Sequence, residues 1–228
     1  MTVYLTVRDI KMAILQMSCS TGAPFFDPTV PVRPMNTLSL LGSAGSDVVL
    51  SLPSGSDAWF YPDGVQTLQL RLDADGAGSA QVYSFSTGNV LANVYVVTNP
   101  VEQTSASMTF TDWLKGQGEL SLYGMSTGAQ ADGNTHCSVY LQTNSASAAT
   151  QAALSLTTGS AIITISGKQK AFEDVSSHVG SFDITDNVIE AATFTLSLVD
   201  TEDYVSGILS FVEPLHYIAE KFSFQQMS

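Results

Sequence analysis

Leu50-Ser-Leu-Pro-Ser-Gly-Ser56 and Leu154-Ser-Leu-Thr-Thr-Gly-Ser160 are two copies of one pattern, 104 residues apart (50 to 154). In each, two leucines separated by a serine put apolar side chains on one face of an extended chain, the period-two mark of a strand with one buried face. The Gly-Ser pair that follows supplies the turn that ends it. What comes next also recurs in order: a turn region (Asp73-Ala-Asp-Gly76; Phe172-Glu-Asp174 through Gly180), a strand (Ala80-Gln-Val-Tyr-Ser-Phe85; Ser181-Phe-Asp-Ile184), a polar turn (Ser86-Thr-Gly-Asn89; Thr185-Asp-Asn187) and a closing strand (Val90–Val97; Ala192–Val199). A period of about 100 residues is that of a domain, so the chain is expected to repeat a whole unit rather than a short solenoid element.

Outward from these copies, apolar–polar alternation broken by Gly, Pro, Asn, Asp and Ser runs from about residue 36 to the end. Strands are expected at Asp47–Leu52, Gln66–Leu72, Ala80–Phe85, Val90–Val97, Ser107–Thr111, Glu119–Tyr123, His136–Gln142, Ala152–Leu156, Ala161–Ser166, Gly180–Ile184, Ala192–Val199 and Val205–Phe211. That is more than one seven-stranded sandwich needs, and two sandwiches account for them. The polar, Pro-containing stretch Asn99-Pro-Val-Glu-Gln-Thr104 reads as a short stiff linker between them. Ser18–Pro34, with four prolines and little period, reads as an extended arm. The expected division is an N-terminal arm (1–35), a first sandwich (36–104), a second sandwich (105–213) and a C-terminal tail (214–228).

Composition narrows the function classes. Twenty-one acids against eight scattered basic residues leave a formal charge of −13. No basic stripe exists to follow a phosphate backbone, and the acidic field repels one, so nucleic acid is excluded as a direct partner. Only 13% of the residues are charged and 44% are hydrophobic, a balance closer to β-rich surface and virion proteins than to metabolic enzymes. Arg8, Asp9 and Lys11 interrupt the first apolar run, so it does not read as a secretory leader, and no segment is apolar for long enough to be a membrane span. In His136-Cys-Ser-Val-Tyr-Leu-Gln142 alternation puts Cys137, Val139 and Leu141 on one face, so Cys137 reads as a small core residue. A Cys19–Cys137 disulfide is the less favoured alternative.

The second unit resembles the bacterial immunoglobulin-like domains of the invasin and intimin group. The residues that carry the likeness are Ala131-Asp-Gly133 before Val139 and Leu141, Ala152-Ala-Leu-Ser-Leu156, Ser160-Ala-Ile162, and Gly180-Ser-Phe-Asp-Ile-Thr-Asp186 followed by Glu190-Ala-Ala-Thr-Phe194. The first unit matches more loosely through Asp75-Gly-Ala-Gly-Ser-Ala-Gln-Val82, Gly88 and Ala92-Asn-Val94, and Ser107-Met-Thr-Phe110 looks like a link strand. The resemblance covers about two-thirds of the chain and implies an all-β fold of two tandem immunoglobulin-like β-sandwiches. These motifs specify turns and core positions, so they speak to fold far more than to function.

Reactive constellations are missing from the sequence. There is no Gly-x-Ser-x-Gly nucleophile turn, no phosphate-binding glycine loop, and no His-Glu-x-x-His or Cys-x-x-Cys, while His136, His178 and His216 have no recognisable partners. No enzyme activity, cofactor or metal is expected. The acidic turns Asp73-Ala-Asp75-Gly76, Asp183-Ile-Thr-Asp186, Glu173-Asp174 and Glu202-Asp203 could offer oxygens to calcium, but Asp caps turns without any metal, and that is the favoured reading. In Trp59-Phe-Tyr61 strand alternation sets Trp59 and Tyr61 on one face and Phe60 on the other, making Trp59 and Tyr61 candidate binding residues; capping of the sandwich end is the alternative. Tyr4, Leu5, Phe25, Phe26, Tyr217, Phe222 and Phe224, in apolar segments outside either sandwich, are expected to contact neighbouring subunits. The expected role is that of a structural and adhesive component of a multi-subunit surface. The first reading is a phage virion surface protein, whose partners are copies of itself or capsid and tail neighbours, with a host surface protein or glycan beyond them. The alternative is a fragment of a bacterial cell-surface adhesin.

Overall fold

A computed structural model of the chain describes residues 14–29, 33–112, 119–144 and 147–216, which form strands, turns and loops and no helix. Eight strands build the first unit: β1 (Gln16–Cys19), β2 (Asn36–Leu41), β3 (Asp47–Ser51), β4 (Ala58–Tyr61), β5 (Thr67–Arg71), β6 (Ala77–Ser84), β7 (Gly88–Val96) and β8 (Asn99–Phe110). They make two sheets, ordered β1-β2-β6-β4 and β5-β3-β7-β8. The second unit comprises β9 (Leu120–Ser126), β10 (Ala129–Gln130), β11 (His136–Thr143), β12 (Gln151–Leu156), β13 (Ile162–Ile163), β14 (Lys170–Asp174), β15 (Val179–Thr185), β16 (Ala191–Leu198) and β17 (Tyr204–Val212). Its sheets are ordered β9-β11-β15-β13 and β14-β12-β16-β17-β10.

Apart from the two-residue β10, the orders match strand for strand, β1 to β9, β2 to β11 and so on to β8 and β17. The repeated heptapeptide falls on the corresponding strands β3 and β12. Leu50 and Leu154 are fully buried there. Leu52 N–H donates to the Gln66 carbonyl at 2.9 Å, and Leu156 N–H donates to the Gln169 carbonyl at 2.8 Å. The all-β, two-sandwich immunoglobulin-like architecture expected from the sequence is the one observed.

Each sandwich closes its own core, because the inward rows of its two sheets meet. Leu38, Val48, Leu50, Phe60, Val82, Val94, Met108 and Phe110 belong to the first; Val139, Leu154, Ile163, Phe182, Ile184, Phe194, Leu196 and Phe211 belong to the second. The alternation that predicted strands is literal in β7 and β16, where every second side chain is buried. Burial of a large aliphatic or aromatic side chain contributes about 1.5–3 kcal/mol, so each unit has a driving force of its own.

Several boundaries differ from expectation. Asn99–Thr104 is not a linker but the first part of β8, which pairs with β7 from Asn99 to Phe110. It is polar because this end of the hairpin extends past the core, leaving Val101 86% exposed. Pro100 is tolerated because β8 is an edge strand. Ser107–Phe110 likewise belongs to β8, with Met108 and Phe110 in the first core. The arm is also partly folded in: Leu15 and Ala23 are buried in that core and β1 pairs with β2. The strands of the first unit thus lie within residues 16–110 and those of the second within 120–212. Both cysteines are free; Cys137 is in the second core, and burial pushes its thiol up to about 11.

Candidate binding site between the two sandwiches

Ser20-Thr-Gly-Ala23 and Ser126-Thr-Gly-Ala129 are a further repeat, 106 residues apart (20 to 126). In each unit this tetrapeptide carries the chain from the first sheet to the far edge of the second. Gly22 N–H donates to the Thr109 carbonyl and Gly128 N–H to that of Ser210, both at 2.8 Å. Thr109 N–H donates to Thr21 Oγ1 at 2.8 Å, and Ser210 N–H donates to Thr127 Oγ1 at 2.7 Å. The turn needs φ of +89° and +82° at the two glycines, a region that side chains with a Cβ rarely adopt.

The two copies then bind each other. Thr21 N–H donates to the Thr127 carbonyl and Thr127 N–H to the Thr21 carbonyl, both at 2.8 Å, while Ser126 Oγ donates to Ser20 Oγ at 2.8 Å. Equivalent residues face one another, so a local twofold axis relates the sandwiches at this contact. Around it, Gln130 Nε2 donates to Ser18 Oγ at 2.8 Å and Met35 N–H donates to Tyr140 Oη at 3.3 Å. Gly124 lets the surfaces close up, since a Cβ there would lie 2.5 Å from Pro24 Cγ.

This contact leaves a cleft of about 720 Å³ beside it. Its floor is the outer face of β2 and β6, where Thr37 pairs with Gln81 and Ser39 with Ser79. Tyr61, Pro62 and Asp63, at the end of β4, form one rim, and Asp132, Asn134, Thr135 and His136 of the second sandwich form the other. Asp73, Pro214 and Leu215 also contribute to the lining, which holds three aspartates and neither lysine nor arginine.

Tyr61 also belongs to an aromatic box. The Arg33 guanidinium sits 4.6 Å from the ring centres of Phe26 and Tyr83 and 5.4 Å from that of Tyr61. Phe85 packs on Phe26 and Tyr83 at 5.4 and 5.5 Å. Ring–cation contacts of this kind stabilise by about 0.5–2 kcal/mol, and here they hold Arg33 against the Phe26, Tyr61 and Tyr83 rings.

The two candidate binding residues therefore part company. Both point outward from β4, as alternation requires, but Trp59 is half-buried opposite Tyr83 while Tyr61 is 40% exposed on the cleft rim. Of the residues expected to meet neighbouring subunits, Phe25 is half-buried and Phe26 is buried inside its own chain's aromatic box. Tyr4, Leu5, Tyr217, Phe222 and Phe224 lie outside the described residues. Sequence reading gave Arg33, Gln81, Asp132, Asn134, Thr135 and His136 no binding role; the repeated Ser-Thr-Gly-Ala would have placed the domain contact, whereas nothing local marks the cleft floor.

The histidines do have partners, contrary to expectation. His136 Nε2 lies 3.9 Å from Asp183 Oδ2, His178 Nδ1 is 3.1 Å from Thr143 Oγ1, and His216 Nε2 is 2.8 Å from Glu213 Oε1. Ser138 Oγ donates to Asp183 Oδ1 at 2.7 Å, which gathers Ser, Asp and His. The acid stands in the middle, however, and nucleophile activation needs the imidazole there, between hydroxyl and carboxylate.

The acidic turns mostly cap themselves. Asp73 Oδ1 accepts from the N–H groups of Asp75 and Ala77, and Asp174 Oδ1 accepts from Ser176 N–H and Oγ. Among the described residues no three His, Cys, Asp or Glu side chains are grouped to hold a metal ion.

No protein-family model and no curated protein sequence matches the chain. Solved structures similar to it include the D0-D1 domain of intimin, at 13% identity over 86% of this chain and 97% of that one, with a TM-score of 0.33. Invasin, described as a bacterial integrin-binding protein, is similar at 15% identity over 88% of this chain and 39% of its own, with a TM-score of 0.33. A glycosyl hydrolase family 2 member from Bacteroides cellulosilyticus is similar at 13% identity over 86% of this chain and 29% of its own, with a TM-score of 0.31. The likeness concerns strand arrangement, and neither activity nor partner follows from it.

Proposed function

We propose that this chain is a non-enzymatic contact module displayed on a bacterial cell surface, in which two immunoglobulin-like sandwiches are held as one unit to present the cleft between them. The observation that carries this reading is the reciprocal Ser-Thr-Gly-Ala contact, which holds the two outer faces in a defined relation. A site made at a junction of rigid sheets suits recognition, because its walls are preorganised while its rims are loops. The separated histidines and the misordered Ser138–Asp183–His136 cluster support a binding role over a chemical one. Display on a virion, the first expectation, has no observation in its favour and yields to the cell-surface reading.

The test is labelling of intact cells that make the chain with an antibody raised against the purified two-domain protein, with deletion of its gene alongside. The expected result is labelling without permeabilisation and reduced attachment to other cells or surfaces after deletion. Labelling only after permeabilisation would sink the reading.

A further inference from the structure

The cleft has a floor of uncommitted hydrogen-bonding groups. The side chains of Ser39, Ser79, Gln81 and Asp63 make no hydrogen bond among the described residues, although all line the cleft. They offer hydroxyls, an amide and a carboxylate, mixed donors and acceptors that water satisfies until a ligand replaces it. Cross-strand pairing places Ser39 beside Ser79, and Gln81 beside Tyr61 at the rim. Tyr61 thus adds an apolar ring surface at the end of a polar row.

We propose that this cleft binds a short neutral oligosaccharide, with Tyr61 against a sugar ring and Ser39, Ser79 and Gln81 hydrogen-bonded to its hydroxyls. The proposal rests on the contact-module reading and gives it a ligand class. A sugar ring alternates C–H faces with hydroxyls that both donate and accept, as an aromatic rim above a serine and amide floor requires. A cleft of about 720 Å³ lies within the range of small-ligand sites, roughly 300–1,000 Å³. Acidic sugars are disfavoured, since the lining holds three aspartates and neither lysine nor arginine, Arg33 is taken up by the Phe26, Tyr61 and Tyr83 rings, and the chain carries a charge of −13.

A cationic peptide is the competing occupant, drawn by Asp63, Asp73 and Asp132. Two of these are already engaged: Asp73 by its own turn, and Asp132 by the N–H groups of Asn134 and Thr135 and the Thr135 hydroxyl. All three keep their charge, but only Asp63 has both oxygens open to a guanidinium or ammonium, so the direct ion pairs on offer are few and solvent-screened.

The experiment is titration of the full chain with a panel of neutral, sialylated and sulfated oligosaccharides and with an arginine-rich peptide. At least one neutral oligosaccharide is expected to bind, with affinity unchanged between about 50 and 500 mM salt. Tyr61→Ala and Gln81→Ala should each weaken binding about tenfold or more with the melting temperature preserved. Should Tyr61→Ala fail to fold, Ser79→Arg, an exposed floor position, is expected to block the cleft instead. Silence across the neutral panel, binding indifferent to these variants, or salt-sensitive binding of the peptide alone would overturn the proposal. Surface labelling with a silent panel would remove the ligand class and leave the contact-module reading standing.

Discussion

Asp186 is the one buried carboxyl among the described residues. Its Oδ1 accepts from Ser160 Oγ at 2.8 Å and from the N–H groups of Asn187 and Val188 at 2.7 and 3.1 Å, while its Oδ2 is shut off from solvent. The carboxyl meets that of Glu190, which accepts from Ser160 N–H. Burial raises the Asp186 pKa, and the Ser160 N–H, then Asp186 itself, lower that of Glu190. The two shifts run in opposite directions: burial favours the protonated form of Asp186, and the Ser160 N–H favours the ionised form of Glu190. A raised folded value means stability that is complete at low pH and lost as pH rises through it; the lowered Glu190 contributes above its ordinary range and loses that contribution as pH falls. Asp186→Asn keeps a donor toward Glu190 and has no proton to lose. Its melting temperature, relative to the parent, is expected to improve as pH rises above about 4, the ordinary aspartate value, and then to level off once Asp186 of the parent has ionised. A difference between the two proteins that stays flat over a pH series would refute the raised Asp186 value.

Strand β8 tests how an element can belong to a core at one end only. Val101 is 86% exposed, whereas Phe110 is 1% exposed in the first core. Val101→Ser should change stability by no more than about 0.5 kcal/mol, and Phe110→Ala should cost about 3–5 kcal/mol. Urea unfolding of both variants measures this, and equal costs would contradict the assignment of the Asn99–Phe110 strand to the first sandwich. The same strand shows where sequence reading works. Alternation found β7 and β16 because their inner faces are continuous apolar rows, and the Leu-Ser-Leu repeat marked corresponding strands because both copies fill the same core position. It missed β1, β2, β10, β14 and the first part of β8: β1, β14 and that part of β8 are edge segments whose residues are mostly exposed or half-buried, β10 is only two residues long, and β2 is a central strand of alternating burial that directly follows the proline-rich stretch read as an arm. Of the site, Tyr61 was legible from a local alternation. The floor was not, because Ser39, Ser79 and Gln81 are ordinary outward residues until the second sandwich stands over them.

At the scale of the molecule, two cores that share no residue are coupled through a small polar contact with a close-packed spot, Gly124 against Pro24. Hydrogen bonds of this kind contribute only about 0.5–1.5 kcal/mol each, so the coupling is weak beside the cores it joins. Whether the chain behaves as one unit therefore depends on how closely the surfaces approach. A Cβ at residue 124 meets Pro24 Cγ, Cδ and Cβ at 2.5, 2.6 and 2.9 Å, and a ring closed onto its own backbone cannot swing aside as the end of a flexible side chain would. Gly124→Val is expected to wedge the sandwiches apart while leaving the interior row of β9, Leu120 and Leu122, in its own core. Calorimetry should then resolve two transitions where the parent gives one, and small-angle scattering should report a larger radius of gyration. Oligosaccharide affinity should fall although no cleft residue has changed, because one wall of the cleft has moved off the other. A variant with a single transition, the parental radius and intact binding would mean that the contact around Thr21 and Thr127 does not hold the site together.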